Sequence, residues 1–536
     1  MLLSKKYKNW REFWSKNSYL TLILALASFL RLWQLGRRDF WYDEAFTGVA
    51  VKESFSGMMQ MILKDVHPPL YYLALKSFSA SFDYSVVGIR LFSAIFGILN
   101  VYLVYLLAKK LFSRRAGLWS ALIATISPFA IQYSQEGRMY SMFVFFILLA
   151  TYFFVLALKE DIKTSYDEEG NRYKTLWKEY QYYLFFGFFL GLSALTHYIG
   201  LIFAPIFYAV FLVWSLGKGE LLEQKVSLRG NSVFYGFDLL KRFLPSKGIL
   251  FAYATSLLVF SPWIVNFKNH FIRTSNSNNL DWIRLANFGD IAVNLQMFIF
   301  GTPLGEMSSG MPGPNEFQGI AEISAWILVT VILTAIVTYL FLSKKKTKEI
   351  LSVLLLSLGF MILVWFLGFF GKKFFVARYL LAGGYFTFIL FGVWLTRLKL
   401  PFSILAVGGY LILLQTIVPL GYSTGWNKLA VNLNKYEGQN FYILNSFDYL
   451  IAKYYLGADR LTLYNVDWPP YNPDYWAGIG SSLKRTENFE DLKQDKKGYI
   501  LSNVQLPKEK RPDQTFDPSG LELVDQYDNI LVYRFK

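Results

Sequence analysis

A polytopic α-helical membrane protein with a small α/β unit at its C-terminal end is the fold this sequence predicts, on three observations. The 536 residues are 54% hydrophobic and only 17% charged, too apolar for a soluble multidomain chain. The apolar residues gather into about eleven runs of a length that suits a bilayer-spanning helix. After Gly421 those runs stop and a polar stretch rich in Asn, Asp, Lys and Tyr follows. The predicted division is a transmembrane domain over residues 1–420 and a soluble domain over 421–536.

In order, the predicted spans are Tyr19–Leu35, Val86–Leu107, Ala116–Tyr133, Met139–Leu158, Tyr182–Thr196, Ile199–Leu216, Ile249–Phe267, Ile323–Leu342, Ile350–Phe370, Tyr379–Leu395 and Phe402–Leu420. Lys5–Lys16 before the first run has the charge order of a signal peptide, but the run continues to Leu35, so an uncleaved first helix is expected. A twelfth run, Pro69–Phe82, is short for a span. If it lies along the surface, the basic clusters Lys109–Arg115, Lys159–Lys178, Lys218–Lys247 and Lys344–Lys348 all fall on the inner side, as the positive-inside bias requires. The first outer loop is then long, with two interfacial helices: Ala45–Leu63, carrying an apolar stripe, and a second after Pro68-Pro69. In the tail, Phe441–Leu444, Gly498–Leu501, Leu521–Val524 and Ile530–Tyr533 read as strands, the last two as a hairpin, and Asp448–Leu456 reads as a helix. Tyr464–Tyr475, with Trp468 and Pro469-Pro470, is either a sugar-stacking loop or packing.

The net charge of +16 reports topology rather than nucleic-acid binding, because its lysines and arginines sit in short clusters between spans. With no cysteine there is no disulfide, thiolate nucleophile or Cys-based metal site. No Walker A, dinucleotide fingerprint or Gly-x-Ser-x-Gly elbow is present.

This topology gathers the chemistry-bearing residues on the outer side. Asp43 and Glu44, inside Phe40-Trp41-Tyr42-Asp43-Glu44, are adjacent acids beside a membrane surface, where charge is costly to hold. They point in different directions, so the pair reads as one general base and one helper that binds a sugar hydroxyl or a divalent cation; the alternative for Asp43 is capping a helix that starts at Ala45. His67 is read as a ligand for a phosphate, a sugar hydroxyl or a metal, or as a hydrogen-bonding loop residue. In Gln135-Glu136-Gly137-Arg138-Met139-Tyr140, Glu136, Arg138 and Tyr140 are candidate substrate contacts, Arg138 as a bidentate phosphate ligand, with a snorkelling or Glu136-paired arginine as the alternative. Lys372-Lys373 and Arg378-Tyr379 place cations on an outer loop against the positive-inside trend, which calls for an anion. His197, in Thr196-His197-Tyr198, and His270 lack a zinc-ligand spacing, and His197 reads as a structural or substrate hydrogen-bonding residue. No cofactor is required; a divalent cation held by Glu44 and His67 is the alternative.

Together, Trp41-Tyr42-Asp43-Glu44-Ala45, His67-Pro68-Pro69-Leu70-Tyr71-Tyr72, Arg90–Gly97, Ser127-Pro128-Phe129, Glu136-Gly137-Arg138-Met139-Tyr140 and Ala377-Arg378-Tyr379 resemble the GT-C polytopic glycosyltransferases of the protein-O-mannosyltransferase and aminoarabinose-transferase superfamily, glycosyltransferase family 39-like. The resemblance is good over about the first 215 residues and weaker beyond. It implies a polyprenyl-phosphate sugar donor, inversion at the anomeric carbon, Asp43 as catalytic aspartate, and Arg138 and Arg378 as ligands of the lipid phosphate. The acceptor is left open among lipid, glycan and protein, within a prokaryotic cell membrane whose outer face carries both the site and the C-terminal domain. Rival readings are a glycan ligase with a diphosphate-linked donor and a transporter or flippase; the latter calls for an internal symmetry that the sequence lacks.

Overall fold

The computed structural model describes residues 18–163, 172–216, 244–276, 286, 289–300, 346–369, 375–415, 424–444, 446–464, 484–486, 498–503 and 520–536. In chain order its helices are α1 (Ser18–Leu32), α2 (Tyr42–Lys52), α3 (Phe55–Lys64), α4 (Leu70–Ser79), α5 (Val86–Leu111), α6 (Arg114–Ile126), α7 (Pro128–Ser134), α8 (Tyr140–Lys163), α9 (Arg172–Thr196) and α10 (Phe203–Leu216). They continue with α11 (Lys247–Phe260), α12 (Ile264–Asn276), α13 (Gly289–Phe300), α14 (Thr347–Phe369), α15 (Leu381–Leu395), α16 (Leu400–Gln415), α17 (Trp426–Val431) and α18 (Ser446–Leu456). Among the described residues six stretches are long and apolar enough to cross a membrane: Val86–Leu111, Tyr140–Lys159, Tyr198–Leu216, Lys247–Ile272, Thr347–Phe369 and Ala377–Leu395. The expected span Ile323–Leu342 lies outside the described residues, as does most of the aromatic loop after Tyr464.

Serines punctuate the bundle. Ser85, Ser113 and Ser246 each accept a backbone N–H at the start of α5, α6 and α11, satisfying a donor that the helix itself leaves unpaired. Ser127 does the same for α7, with Pro128 at its first position. The expected single span Ala116–Tyr133 is therefore broken in two. α7 then leads into the loop that carries Glu136 and Arg138, and buried Arg31 donates to the carbonyls of Ala124 (2.8 Å) and Thr125 (3.2 Å) at the end of α6. Close helix contact is built on small residues: a Cβ on Gly187 of α9 would run into the backbone of Ala252 on α11.

The first loop departs from the reading of one helix over Ala45–Leu63. Ser54 accepts from Gly57 N and starts α3, while Lys76 donates to the carbonyls of Val51 (2.9 Å) and Glu53 (2.5 Å) and so ends α2. Glu44 to Val51 of α2 are all buried, so α2 is packed against the rest of the chain on most of its faces.

The C-terminal unit is a six-stranded sheet of order β3-β2-β1-β4-β6-β5, from β1 (Phe441–Ile443), β2 (Leu461–Tyr464), β3 (Lys484–Thr486), β4 (Tyr499–Ser502), β5 (Leu521–Tyr527) and β6 (Ile530–Phe535). The first four are parallel, β6 runs antiparallel to β4, and β5–β6 form the expected hairpin, its turn tightened to Asp528, at φ +50°, and Asn529. α18 crosses from β1 to β2 and packs on α2, bringing the sheet unit against the loop of the candidate site.

Candidate active site

Four elements converge here: the start of α2, the loop between α3 and α4, the Gln135–Met139 loop, and the turn Ala377–Leu380 ahead of α15. α2 begins at Tyr42, with Trp41 as an extended N-cap and no side-chain cap. Asp43 thus sits in the first turn, where the helix dipole favours a negative charge, and its side chain caps nothing. Its Oδ2 stands 3.5 Å from Nη1 of buried Arg378, and the carboxylate remains 21% exposed. The guanidinium of Arg378 lies 5.5 Å from the Trp41 ring centroid and 5.8 Å from that of Tyr379.

Arg138 holds the same helix turn from another side. Its Nη1 donates to the Asp43 carbonyl (3.1 Å), Thr47 Oγ1 (3.1 Å) and Tyr72 Oη (3.2 Å), while its buried Nε has no hydrogen-bond partner among the described residues. Tyr72 in turn donates to Asp65 Oδ2 (3.2 Å), and the same oxygen accepts from His67 Nδ1 (2.9 Å). Burial raises Asp65, but the His67 charge and hydrogen bond outweigh it and hold the carboxyl well below the usual range.

Glu44 faces away from this group. It is 2% exposed, and its oxygens accept from Arg90 Nε (2.8 Å), Arg90 Nη2 (2.6 Å) and Gly137 N (2.7 Å). Arg90 also donates to the carbonyls of Leu35, Arg38 and Asp39, locking the chain that leads into α2. The helper or cation-binding role expected for Glu44 meets this geometry poorly, because its lone pairs are committed to a buried bidentate pair. His67 likewise spends one nitrogen on Asp65, and no cluster of three or more His, Asp or Glu able to hold a metal occurs among the described residues.

Glu136 is buried, and its Oε1 has no hydrogen-bond partner among the described residues. Burial first, then the nearby Glu44 carboxylate, pushes it up to about 8, against partial relief from Arg378. His197 accepts the Ile199 N–H on Nδ1 (3.2 Å), which places the ring proton on Nε2, an atom also without a partner among the described residues. Burial and the charges of His67, Arg138 and Arg378 hold it well below its ordinary value, so it is a neutral N–H donor. Its ring lies 4.8 Å from Tyr379, 5.6 Å from His67 and 6.0 Å from Tyr140. Asp43, His67, Glu136, Arg138, Tyr140, His197, Arg378 and Tyr379 thus share one neighbourhood; Lys372 and Lys373 lie outside the described residues. No site role is read from sequence for Asp65, Tyr72, Thr47 or Arg90, although Tyr72 and Arg90 stand within the motifs that begin at His67 and Arg90. Arg90 carried a signal, a charge inside an otherwise apolar run.

The architecture is the GT-C fold of membrane glycosyltransferases. Over 96% of its length the chain is similar to ArnT from Cupriavidus metallidurans bound to undecaprenyl phosphate, covering 98% of that chain with a TM-score of 0.60 and 11% identity. It is also similar to the archaeal oligosaccharyltransferase AglB from Archaeoglobus fulgidus in complex with an inhibitory peptide and a dolichol-phosphate (TM-score 0.49, 14% identity, 92% of this chain and 70% of that one). A third likeness is to the S. cerevisiae protein O-mannosyltransferase complex bound to the sugar donor (TM-score 0.32, 22% identity, 48% of this chain and 34% of that one). Residues 66–166 match the dolichyl-phosphate-mannose-protein mannosyltransferase family. No curated protein sequence matches the chain.

Proposed function

We propose that this chain is an inverting glycosyltransferase, moving a sugar from a polyprenyl-phosphate donor to a hydroxyl or amine of an acceptor at the outer face of the membrane. The observation that carries it is the pairing of Asp43, partly exposed on its helix turn, with Arg378 at 3.5 Å and Arg138 bound to the same turn. A phosphate monoester leaves without a proton donor opposite the base, so one carboxylate and nearby guanidinium groups are the parts the displacement needs.

In this reading Asp43 takes the proton of the acceptor O–H or N–H as that atom attacks the anomeric carbon. The sugar's bond to the phosphate oxygen breaks on the opposite face, and the polyprenyl phosphate departs with the electron pair. Arg378 meets the charge growing on that oxygen; a donor phosphate competes with Asp43 for the guanidinium and so frees the carboxylate to act as base. Arg138 holds α2 through Nη1 and offers Nε to the same anion. His197 Nε2–H and Glu136 supply hydrogen bonds to sugar hydroxyls. Glu44 positions the loop through Arg90 and Gly137 and leaves the chemistry to Asp43.

The family matched over residues 66–166 and the undecaprenyl phosphate of the ArnT structure support the donor class. Residues 421–536 are taken as a soluble domain on the same outer side, and a prokaryotic cell membrane as the location. The test is to incubate the purified protein with a panel of undecaprenyl-phosphate hexoses and aminopentoses, with lipid and peptide acceptors, and to measure released undecaprenyl phosphate. Release from at least one donor is expected. No release from any of them overturns the reading.

A further inference from the structure

Beyond its contacts with Arg138 and Arg378, α2 meets the C-terminal unit, and Tyr454 of α18 is the centre of that contact. A Cβ on Gly48 would lie 2.6 Å from both Cδ2 and Cε2 of Tyr454 and 3.0 Å from Phe40 Cε2, so only glycine lets the ring rest on the helix backbone. Lys52, one turn further, places its ammonium 3.7 Å from the centroid of the same ring and donates to the Tyr454 carbonyl (3.0 Å). The phenol donates to the Tyr84 carbonyl (3.0 Å), and the Phe40 ring packs 4.6 Å away. Around this point Lys453 pairs with Glu53 (3.0 Å), and Phe40 N–H donates to Tyr455 Oη (2.9 Å). The Asp39 carboxylate accepts from the backbone N–H groups of Thr424, Gly425, Trp426 and Asn427 and from the Thr424 hydroxyl.

We infer that Tyr454 is a positioning residue of the active site: seated in the Gly48 notch, it fixes the depth and roll of α2 and so the place of the Asp43 carboxylate against Arg378. Gly48 follows Asp43 by five residues, about 140° around an α-helix. Tyr454 and Arg378 therefore bear on well-separated sides of the same short helix, and a shift at one is felt at the other. The inference rests on reading Asp43 as the base. A displacement of about 1 Å at a reacting group costs about a hundredfold in rate, so the loss of the ring is read mainly in kcat.

The experiment compares full-length wild type, Tyr454→Ala, Tyr454→Phe, Gly48→Ala and the double variant Gly48→Ala/Tyr454→Ala in lipid nanodiscs. Steady-state rates use the undecaprenyl-phosphate sugar that wild type consumes, and binding uses undecaprenyl phosphate alone. Tyr454→Ala is expected to lower kcat about 10- to 100-fold while donor KM and undecaprenyl phosphate affinity stay within about twofold. Tyr454→Phe, which keeps the ring, is expected within about threefold of wild type. Gly48→Ala alone is expected to lose rate in the same way, and to add little further loss on Tyr454→Ala, where the 2.6 Å clash is gone and only the 3.0 Å approach to Phe40 remains. Wild-type kcat in Tyr454→Ala, a loss lying mainly in donor affinity, or losses that multiply in the double variant would each overturn the inference. Hydrogen exchange over Tyr42–Lys52 needs no substrate: faster exchange in Tyr454→Ala than in Tyr454→Phe is expected, and equal exchange in the two overturns it. If Asp43→Asn retains full turnover, it is the base reading that fails, and the exchange result still decides whether Tyr454 holds α2.

Discussion

Replacing Glu44 by Gln separates two jobs that its place beside Asp43 leaves confounded. The carboxylate is 2% exposed and accepts three hydrogen bonds, two from Arg90 at 2.8 and 2.6 Å and one from Gly137 N at 2.7 Å. Glutamine keeps the shape but offers one acceptor and turns its NH₂ toward a donor, leaving a buried guanidinium without its counter-charge. Breaking one side of such a buried pair costs about 3–5 kcal/mol, which multiplies the unfolded-to-folded ratio by roughly a hundred or more. The assay is denaturant or thermal unfolding in nanodiscs for Glu44→Gln, Arg90→Gln and the double variant, with turnover counted per folded molecule. The double variant is expected to recover at least about 2 kcal/mol of the summed losses, since its amides can pair with each other. Full stability in Glu44→Gln together with abolished turnover would refute the structural assignment and return Glu44 to the substrate.

Two other outcomes follow from the geometry. Glu136 is raised to about 8 in the folded chain from 4.5, so the folded state binds its proton more tightly, and stability falls as pH rises from about 4.5 through about 8. Glu136→Gln is expected to remove that part of the slope, at most about 1.4 kcal/mol per pH unit, in unfolding curves between pH 5 and 8; an unchanged slope refutes it. The absence of native cysteine allows sidedness to be mapped directly: Ser56→Cys and Ser81→Cys, both at exposed positions, should label from the outer side and Ser113→Cys from the inner side only. Labelling of Ser81→Cys solely from inside means that the segment containing α4 crosses the membrane.

Helices were legible where the apolar runs are long and unbroken, as at Val86–Leu111 and Tyr140–Lys159, because burial in lipid and burial in protein demand the same residues. The breaks were harder to read. Ser127-Pro128 falls inside the predicted span Ala116–Tyr133, where an apolar run hides the break, and the stop between Glu53 and Ser54 depends on Lys76, a residue distant in sequence that supplies the cap. In the tail β2 and β3 lie outside the predicted strands: three- or four-residue parallel strands carry almost no periodicity, and β2 depends on the edge that β1 offers and β3 on the edge of β2. At the site, residue types showed where charge gathers, but not how it is shared. Asp43 and Glu44 look equivalent in sequence. The turn of one helix sends the first toward Arg378 and the second into Arg90, a partner 46 residues away.

The most direct test of Asp43 as the base is Asp43→Asn, measured for turnover of an undecaprenyl-phosphate sugar and, separately, for binding of undecaprenyl phosphate alone, with Arg378→Ala as the contrast. Turnover in Asp43→Asn is expected to fall about 10²–10⁴-fold, because the substitution keeps the side-chain shape and removes the proton acceptor. Its lipid-phosphate affinity is expected to be kept or raised, because Asp43 no longer competes for Arg378, while Arg378→Ala loses affinity. Turnover close to wild type in Asp43→Asn contradicts the assignment outright.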